Sequence, residues 1–152
     1  MKKLIRFSFL IILTLFLVSL DQGCSKDDNP VDNTSGSATV KGTLTFPAPA
    51  PGKFGAVLID NDTNGDNGYK YAAGGTCGSG TTQTYTFNDI PTGTYYIYAV
   101  VFVVGDTTQG PQSGDYYGIY GGTMNNPPNS PNASVPSSGT ATFNFTLGVM
   151  PW

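Results

Sequence analysis

The chain contains no histidine and, because all ten of its acidic residues are aspartate, no glutamate. Without imidazole there is no Ser-His-Asp or Cys-His nucleophile, no His metal ligand and no side chain that titrates near neutrality when unperturbed. Only 11% of the 152 residues are charged, and the one arginine, Arg6, lies in the opening segment. The guanidinium forks that grip phosphate are therefore missing from the rest of the chain, and nucleic acid is not an expected partner. Helix formers are scarce as well, with no Glu and few Leu and Lys, whereas there are 20 Gly, 11 Pro and nine Tyr, with many Thr and Asn. The length fits one domain.

The first twenty residues stand apart. Lys2, Lys3 and Arg6 form a basic start, and residues 7–20 are apolar apart from Ser8, Thr14 and Ser19, which is a secretory signal pattern. The apolar run is at the short edge of the roughly 17 to 25 residues that span a bilayer as a helix, so an uncleaved signal anchor is the alternative. Gly23-Cys24 closes the segment, and here the chain resembles bacterial lipoproteins, whose signal ends in a small residue before an acylated cysteine. Asp21 stands three residues before Cys24, where that family favours Leu; Leu20 is one position earlier. The following Ser25-Lys26-Asp27-Asp28 is similar to the Lys-plus-acid tag of some gram-negative surface lipoproteins.

The resemblance implies removal of residues 1–23, acylation (palmitate) of Cys24, and an outer-membrane protein exposed at the cell surface, with a periplasm-facing placement as the alternative. After residue 23, four lysines face nine aspartates, a side-chain balance of −5. An acidic surface resists anionic membranes, so attachment would come from the acyl chains, of which more than one is needed for a stable anchor. Residues 24–37 form a flexible polar tether that could reach about 45 Å when extended. Residues 38–152 are the expected folded domain.

Within that domain the apolar period is two. In residues 38–46, Ala38, Val40, Gly42, Leu44 and Phe46 alternate with Thr39, Lys41, Thr43 and Thr45, and residues 140–147 repeat the design with Ala141, Phe143, Phe145 and Leu147 inward. These are expected as terminal strands of a sandwich. Residues 54–59 and 95–104 are apolar on both faces, as central strands covered on both sides would be. Shorter strands are expected at 69–73, 82–87 and 116–120, and a long Pro/Asn/Ser surface loop at 124–138. About seven strands in this length is the scale of an all-β, immunoglobulin-like (prealbumin-like) sandwich.

The run Tyr85-Thr-Phe-Asn-Asp-Ile-Pro-Thr-Gly-Thr-Tyr95 reads as two core strands joined by a tight hairpin, with Pro91 presetting φ and Gly93 where φ turns positive. It resembles the carboxypeptidase regulatory-like, or transthyretin-like, β-sandwich family, as does the strand Val40-Lys-Gly-Thr-Leu44. The likeness covers about residues 38–104 and implies the fold; function does not follow, since this sandwich serves many roles.

Asp60-Asn-Asp62-Thr-Asn64-Gly65-Asp66 matches the first half of a calcium loop, with oxygens at positions 1, 3 and 5, Gly at position 6 and a carbonyl at position 7. Position 12 is Tyr71, so a closing carboxylate would have to come from Asp106 or Asp115. A metal-free Gly/Asn/Asp loop between strands is the alternative. Cys77, among glycines, has no cation or base nearby in sequence to activate it and reads as a small semi-buried residue. Asp115, Tyr116, Tyr117 and Tyr120 form a candidate ligand surface with rings to stack on a pyranose, although alternation sends Tyr117 to the face opposite Tyr116 and Tyr120.

The leading expectation is a non-enzymatic, lipid-anchored extracytoplasmic β-sandwich that works as a binding or structural module with a glycan or protein partner, needing no cofactor, with Ca²⁺ as a candidate stabiliser. The rival is a carbohydrate-binding surface lipoprotein using the 115–120 surface. A remote third is an Asp-dependent hydrolase built from Asp60, Asp62, Asp106 and Asp115, which needs two carboxylates sharing a cleft.

Overall fold

A computed structural model of the chain describes residues 36–61 and 69–151, and all of its regular structure is β. Two antiparallel-rich sheets face each other as a sandwich. The smaller sheet runs β4 (Thr82–Pro91), β1 (Ser37–Thr45), β8 (Thr140–Thr142), with β9 (Phe145–Thr146) also pairing β1. The larger runs β10 (Gly148–Val149), β6 (Tyr116–Ile119), β5 (Gly93–Val101), β2 (Phe54–Asp60), β3 (Tyr71–Thr76), with β7 (Ala133–Val135) pairing the start of β5.

Period-two alternation places the core. Val40 and Leu44 of β1, Tyr85 and Phe87 of β4, and Phe143 and Leu147 face Val57, Ile59, Ile97 and Val101 of the larger sheet, all at or below 7% exposure. Burying each aliphatic side chain stabilises the fold by about 1.5 to 3 kcal/mol. The same alternation leaves the outer face of the smaller sheet hydroxyl-rich, with Thr43 opposite Thr84, Thr45 opposite Thr82 and Thr146, and Lys41 opposite Thr86 and Thr142.

All seven expected strands occur, with three differences. The 140–147 strand pairs in parallel with β1 and is interrupted at Phe143 and Asn144, because the Asn144 side-chain oxygen accepts the Thr43 N–H (2.8 Å) in place of a ladder carbonyl. Two further segments occur: β7 lies inside the expected 124–138 loop, where Ala133 and Val135 alternate with Ser134 and are fully buried, and β10 follows the expected 140–147 strand and pairs β6 in the other sheet.

The third difference concerns the Tyr85–Tyr95 run. It is a corner between sheets and not a hairpin, since β4 pairs with β1 while β5 pairs with β2, β6 and β7. The positive φ falls on Asp89 (58°), beside a register shift in the β1–β4 ladder, and not on Gly93. Ile90 is fully buried at the end of the smaller sheet, Pro91 ends the ladder, and Tyr95 is buried in the larger sheet. The Tyr95 hydroxyl donates back to the Pro91 carbonyl (2.9 Å), the Thr92 hydroxyl donates to Val135 O (3.1 Å), and the Thr92 N–H donates to Gly36 O (2.9 Å). A hairpin would have kept Ile90 and Tyr95 in one sheet; the corner lets each close a different layer.

Candidate functional site

The connection from β5 to β6 positions most of the side chains expected to carry function. Within it, Asp106 closes its own turn: Oδ1 accepts from the Thr108 N–H (2.8 Å), the Thr108 hydroxyl (2.7 Å) and the Gln109 N–H (2.8 Å). The Thr108 hydroxyl bond first, then the backbone bonds, hold this exposed carboxyl below the usual aspartate range. Asp115 is fully buried at the entrance to β6. Its Oδ1 accepts from the N–H groups of Val104 (2.6 Å) and Gly105 (3.1 Å), and its Oδ2 accepts from the N–H of Gln112 (2.6 Å). Asp115 is a brace that ties both ends of the loop to one carboxylate.

The expected ligand surface at 115–120 therefore does not form as a unit. Asp115 is occupied and inaccessible, and Tyr116 and Tyr120 point into the sandwich. Tyr116 packs against Phe46 (ring centroids 6.3 Å apart), and Tyr120 meets Phe143 edge-on at 5.0 Å and Phe145 at 6.3 Å. β6 is half of a two-layer core, so its inward rings are needed for packing. Tyr117 alone of the four turns outward, on the same face as Val100 and Tyr98 of β5.

On that outer face Tyr117 has company that sequence reasoning did not assemble. Pairing puts Ala56, Leu58 and Asp60 of β2 beside Val100, Tyr98 and Tyr96 of β5, and just past the end of β5 the Phe102 N–H donates to the Phe54 carbonyl (2.9 Å). Tyr98 stacks near Tyr96 (5.9 Å) and meets Tyr69 edge-on (6.1 Å), and Phe54 stacks near Phe102 (6.4 Å). Phe54 and Tyr69 remain 42% and 38% exposed, while Tyr96, Val100 and Phe102 beneath are buried. The signal was present in the both-face apolarity of residues 95–104: the second face carries aromatic rings packed against one another. Burial first, then the neighbouring Tyr98 and Tyr69, pushes the Tyr117 phenol well above its usual value; burial first, then Asp60, raises that of Tyr69.

Asp60 ends β2 on this face, 1% exposed, with its Oδ1 accepting from the Asn61 N–H (2.7 Å). The other calcium-loop candidates, Asp62, Asn64 and Asp66, lie outside the described residues, as does Cys24. Asp106 and Asp115, the candidate closing carboxylates, are each engaged in their own turn, and among the described residues no three His, Cys, Asp or Glu side chains converge. The three described hydrolase acids occupy three different settings: Asp60 at the outer face, Asp106 on an exposed turn, Asp115 sealed in a loop. Cys77 is buried, and burial pushes its thiol up, away from the reactive thiolate.

Comparison with protein-family models, with curated proteins and with solved structures returns no match.

The buried phenols make a pH prediction. Burial raises Tyr85, Tyr95 and Tyr117 above the usual value of about 10, while an unfolded chain ionises near 10. A raised folded pKa means that this stability is fully present below the unfolded value and is lost as pH climbs above it. Absorbance of phenolate followed through alkaline pH should therefore lag behind free tyrosine and then rise together with loss of β circular dichroism. Smooth ionisation of all nine tyrosines near pH 10 with the fold intact would contradict it.

Proposed function

We propose that the chain is a non-enzymatic, extracytoplasmic β-sandwich binding module, anchored in the outer membrane through acylated Cys24 and presented at the cell surface. Its binding face is the outer side of the larger sheet. The observation that carries the reading is the aromatic cluster of Tyr69, Tyr98 and Tyr117 flanked by Phe54, on a sheet whose inner face already fills the core. Non-enzymatic character is supported by the absence of His and Glu and by Asp60, Asp106 and Asp115 each bonding within a local turn or strand end. Anchoring rests on the apolar signal and the Gly23-Cys24 junction.

A carbohydrate ligand is the second reading, favoured by Tyr117 lying beside Tyr98 and Val100: phenol rings offer flat faces to sugar rings, and their hydroxyls can meet sugar hydroxyls. The site moves from the 115–120 strand to the face that strand shares with β5 and β2. Two readouts on the full chain test the proposal. Cys24→Ala should shift the protein from the membrane to the soluble fraction, and a wild type that is already soluble would defeat the anchor. Retention on immobilised polysaccharides should drop about tenfold or more in Tyr117→Ala, roughly 1.4 kcal/mol for one stacked ring; absence of retention on every glycan would remove the carbohydrate reading.

A further inference from the structure

Among the described residues the sandwich is open along one side, where β3 ends the larger sheet and β4 ends the smaller. The hydrogen-bond phase of each ladder fixes which backbone groups face that side. Phe46 N–H donates to Thr81 O, and paired residues in an antiparallel ladder alternate between bonded and non-bonded. With Leu44 opposite Gln83 and Gly42 opposite Tyr85, the inward residues of β4 bond to β1, and Thr82, Thr84 and Thr86 turn their N–H and C=O groups to the open side. The same reasoning from Cys77 N–H to Lys53 O turns those of Ala72, Gly74 and Thr76 outward from β3. Natural edges of this kind normally carry lysine, proline or a bulge to repel added strands. Neither β3 nor β4 from Thr82 to Asn88 has any charge or proline.

Between the two edges lies a cavity of about 220 Å³ floored by Leu44, Val57, Ala73 and Tyr85, with no charged residue in its lining. It is smaller than the roughly 300 to 1,000 Å³ of small-molecule sites, and its scale is that of side chains. Gln83 reaches over it from β4 toward the larger sheet: an ideal Cβ on Gly55 would lie 3.5 Å from its Oε1, and one on Gly75 would lie 4.0 Å from its Nε2. The Gln83 Oε1 is buried and accepts no hydrogen bond among the described residues. A buried acceptor beside two strand edges and an uncharged cavity with an aliphatic floor is what an inserted strand would complete.

We propose that this side is a strand-acceptor slot: an extended, uncharged segment of another polypeptide, apolar at alternate positions, adds to the β4 edge and places an aliphatic side chain in the cavity above Val57 and Ala73. The segment supplies an N–H to Gln83 Oε1 and extends the smaller sheet across the gap. The neutrality of both edges matches an uncharged occupant and disfavours a lysine-bearing one. The described strands of a second copy are already held in sheets, and an edge of such a sheet can lie beside β4 but cannot enter between the layers. The slot is separate from the outer tyrosine face, so the two readings stand or fall independently.

The test uses the full chain in mild detergent with a fluorescein-labelled peptide of sequence SATVTGTLT, which is the β1 sequence with threonine in place of its lysine. Fluorescence anisotropy should show saturable micromolar binding, weakened about tenfold or more by Thr84→Pro, which removes an N–H facing the slot and leaves the β1 ladder untouched. Ala73→Phe, which fills the cavity without altering β4, should weaken it similarly, and Tyr117→Ala should not. Absence of saturable binding to the folded protein at ~1 mM peptide would overturn the proposal, as would binding that survives both slot variants or equal binding of a peptide with alternate lysines. A concentration-dependent dimer abolished by Thr84→Pro would also overturn it, by making a second copy the occupant.

Discussion

Asp115→Ala should lower the unfolding free energy by about 3 to 5 kcal/mol, a large part of the 5 to 15 kcal/mol typical of a domain. The substitution leaves three donors, the N–H groups of Val104, Gly105 and Gln112, without the buried carboxylate that all three share. Each loses a charge-assisted bond and keeps its desolvation cost. Asp115→Asn should cost less, about 2 to 3 kcal/mol, since one amide oxygen can still serve Val104 and Gly105 while the amide nitrogen turns a donor toward the Gln112 N–H. For a domain of this size, the alanine variant should melt roughly 10 to 30 °C lower. Asp106→Ala, nine residues away and with an equally rich set of bonds, should leave the melting temperature nearly unchanged, because Asp106 is exposed and water replaces what it loses. Equal effects of the two substitutions in thermal and urea unfolding would refute the assignment of Asp115 as a buried brace. Because Asp115 immediately precedes β6, its loss should also blunt any binding that depends on Tyr117.

Burial separates two aspartates that look alike in sequence, and it marks where sequence reasoning stopped. Strand positions and inward residues were legible because apolar alternation is a one-dimensional signal: Val40, Leu44, Phe143 and Leu147 all point where the period of two sends them. Which strands pair is a three-dimensional question. The Pro91–Gly93 turn residues suit a hairpin as well as a corner, and the corner is decided by distant partners, with Tyr95 held to Pro91 and Thr92 to Gly36 and Val135. The 115–120 surface failed for the same reason, since an aspartate beside tyrosines reads as a polar rim until the loop folds over it. The outer tyrosine face could have been found by writing 95–104 as two alternating sets and asking what covers the second. The β3–β4 slot could not, because it depends on which strands end each sheet.

Gly42→Ala should be nearly as damaging as the loss of Asp115, although the change adds one methyl group to a strand where alanine is otherwise tolerated. An ideal Cβ at Gly42 would overlap the Phe143 carbonyl oxygen at 1.9 Å and approach the Tyr85 ring and hydroxyl at 2.7 Å. Those same two groups form a buried hydrogen bond, with the Tyr85 hydroxyl donating to Phe143 O (2.6 Å). The methyl group must therefore either part β1 from the 140–147 strand or displace the tyrosine, and the second choice strands a buried hydroxyl and a buried carbonyl. Overpacking typically costs about 1 to 3 kcal/mol and an unmade buried bond about 1 to 3 more, so a loss of roughly 3 to 5 kcal/mol is expected. Tyr85→Phe separates the two contributions: it removes only the bond, should cost about 1 to 2 kcal/mol, and leaves the ring packed near Phe87 at 6.0 Å. In the double variant Gly42→Ala with Tyr85→Phe, the bond can be lost only once, so the combined cost should fall short of the sum of the singles by about 1 kcal/mol or more. Full additivity in urea unfolding would mean that the methyl group acts on the strand seam alone. The glycine that alternation placed among the inward apolar residues is thus held there by a carbonyl and a phenol stacked over its Cα, a constraint that no count of hydrophobic positions contains.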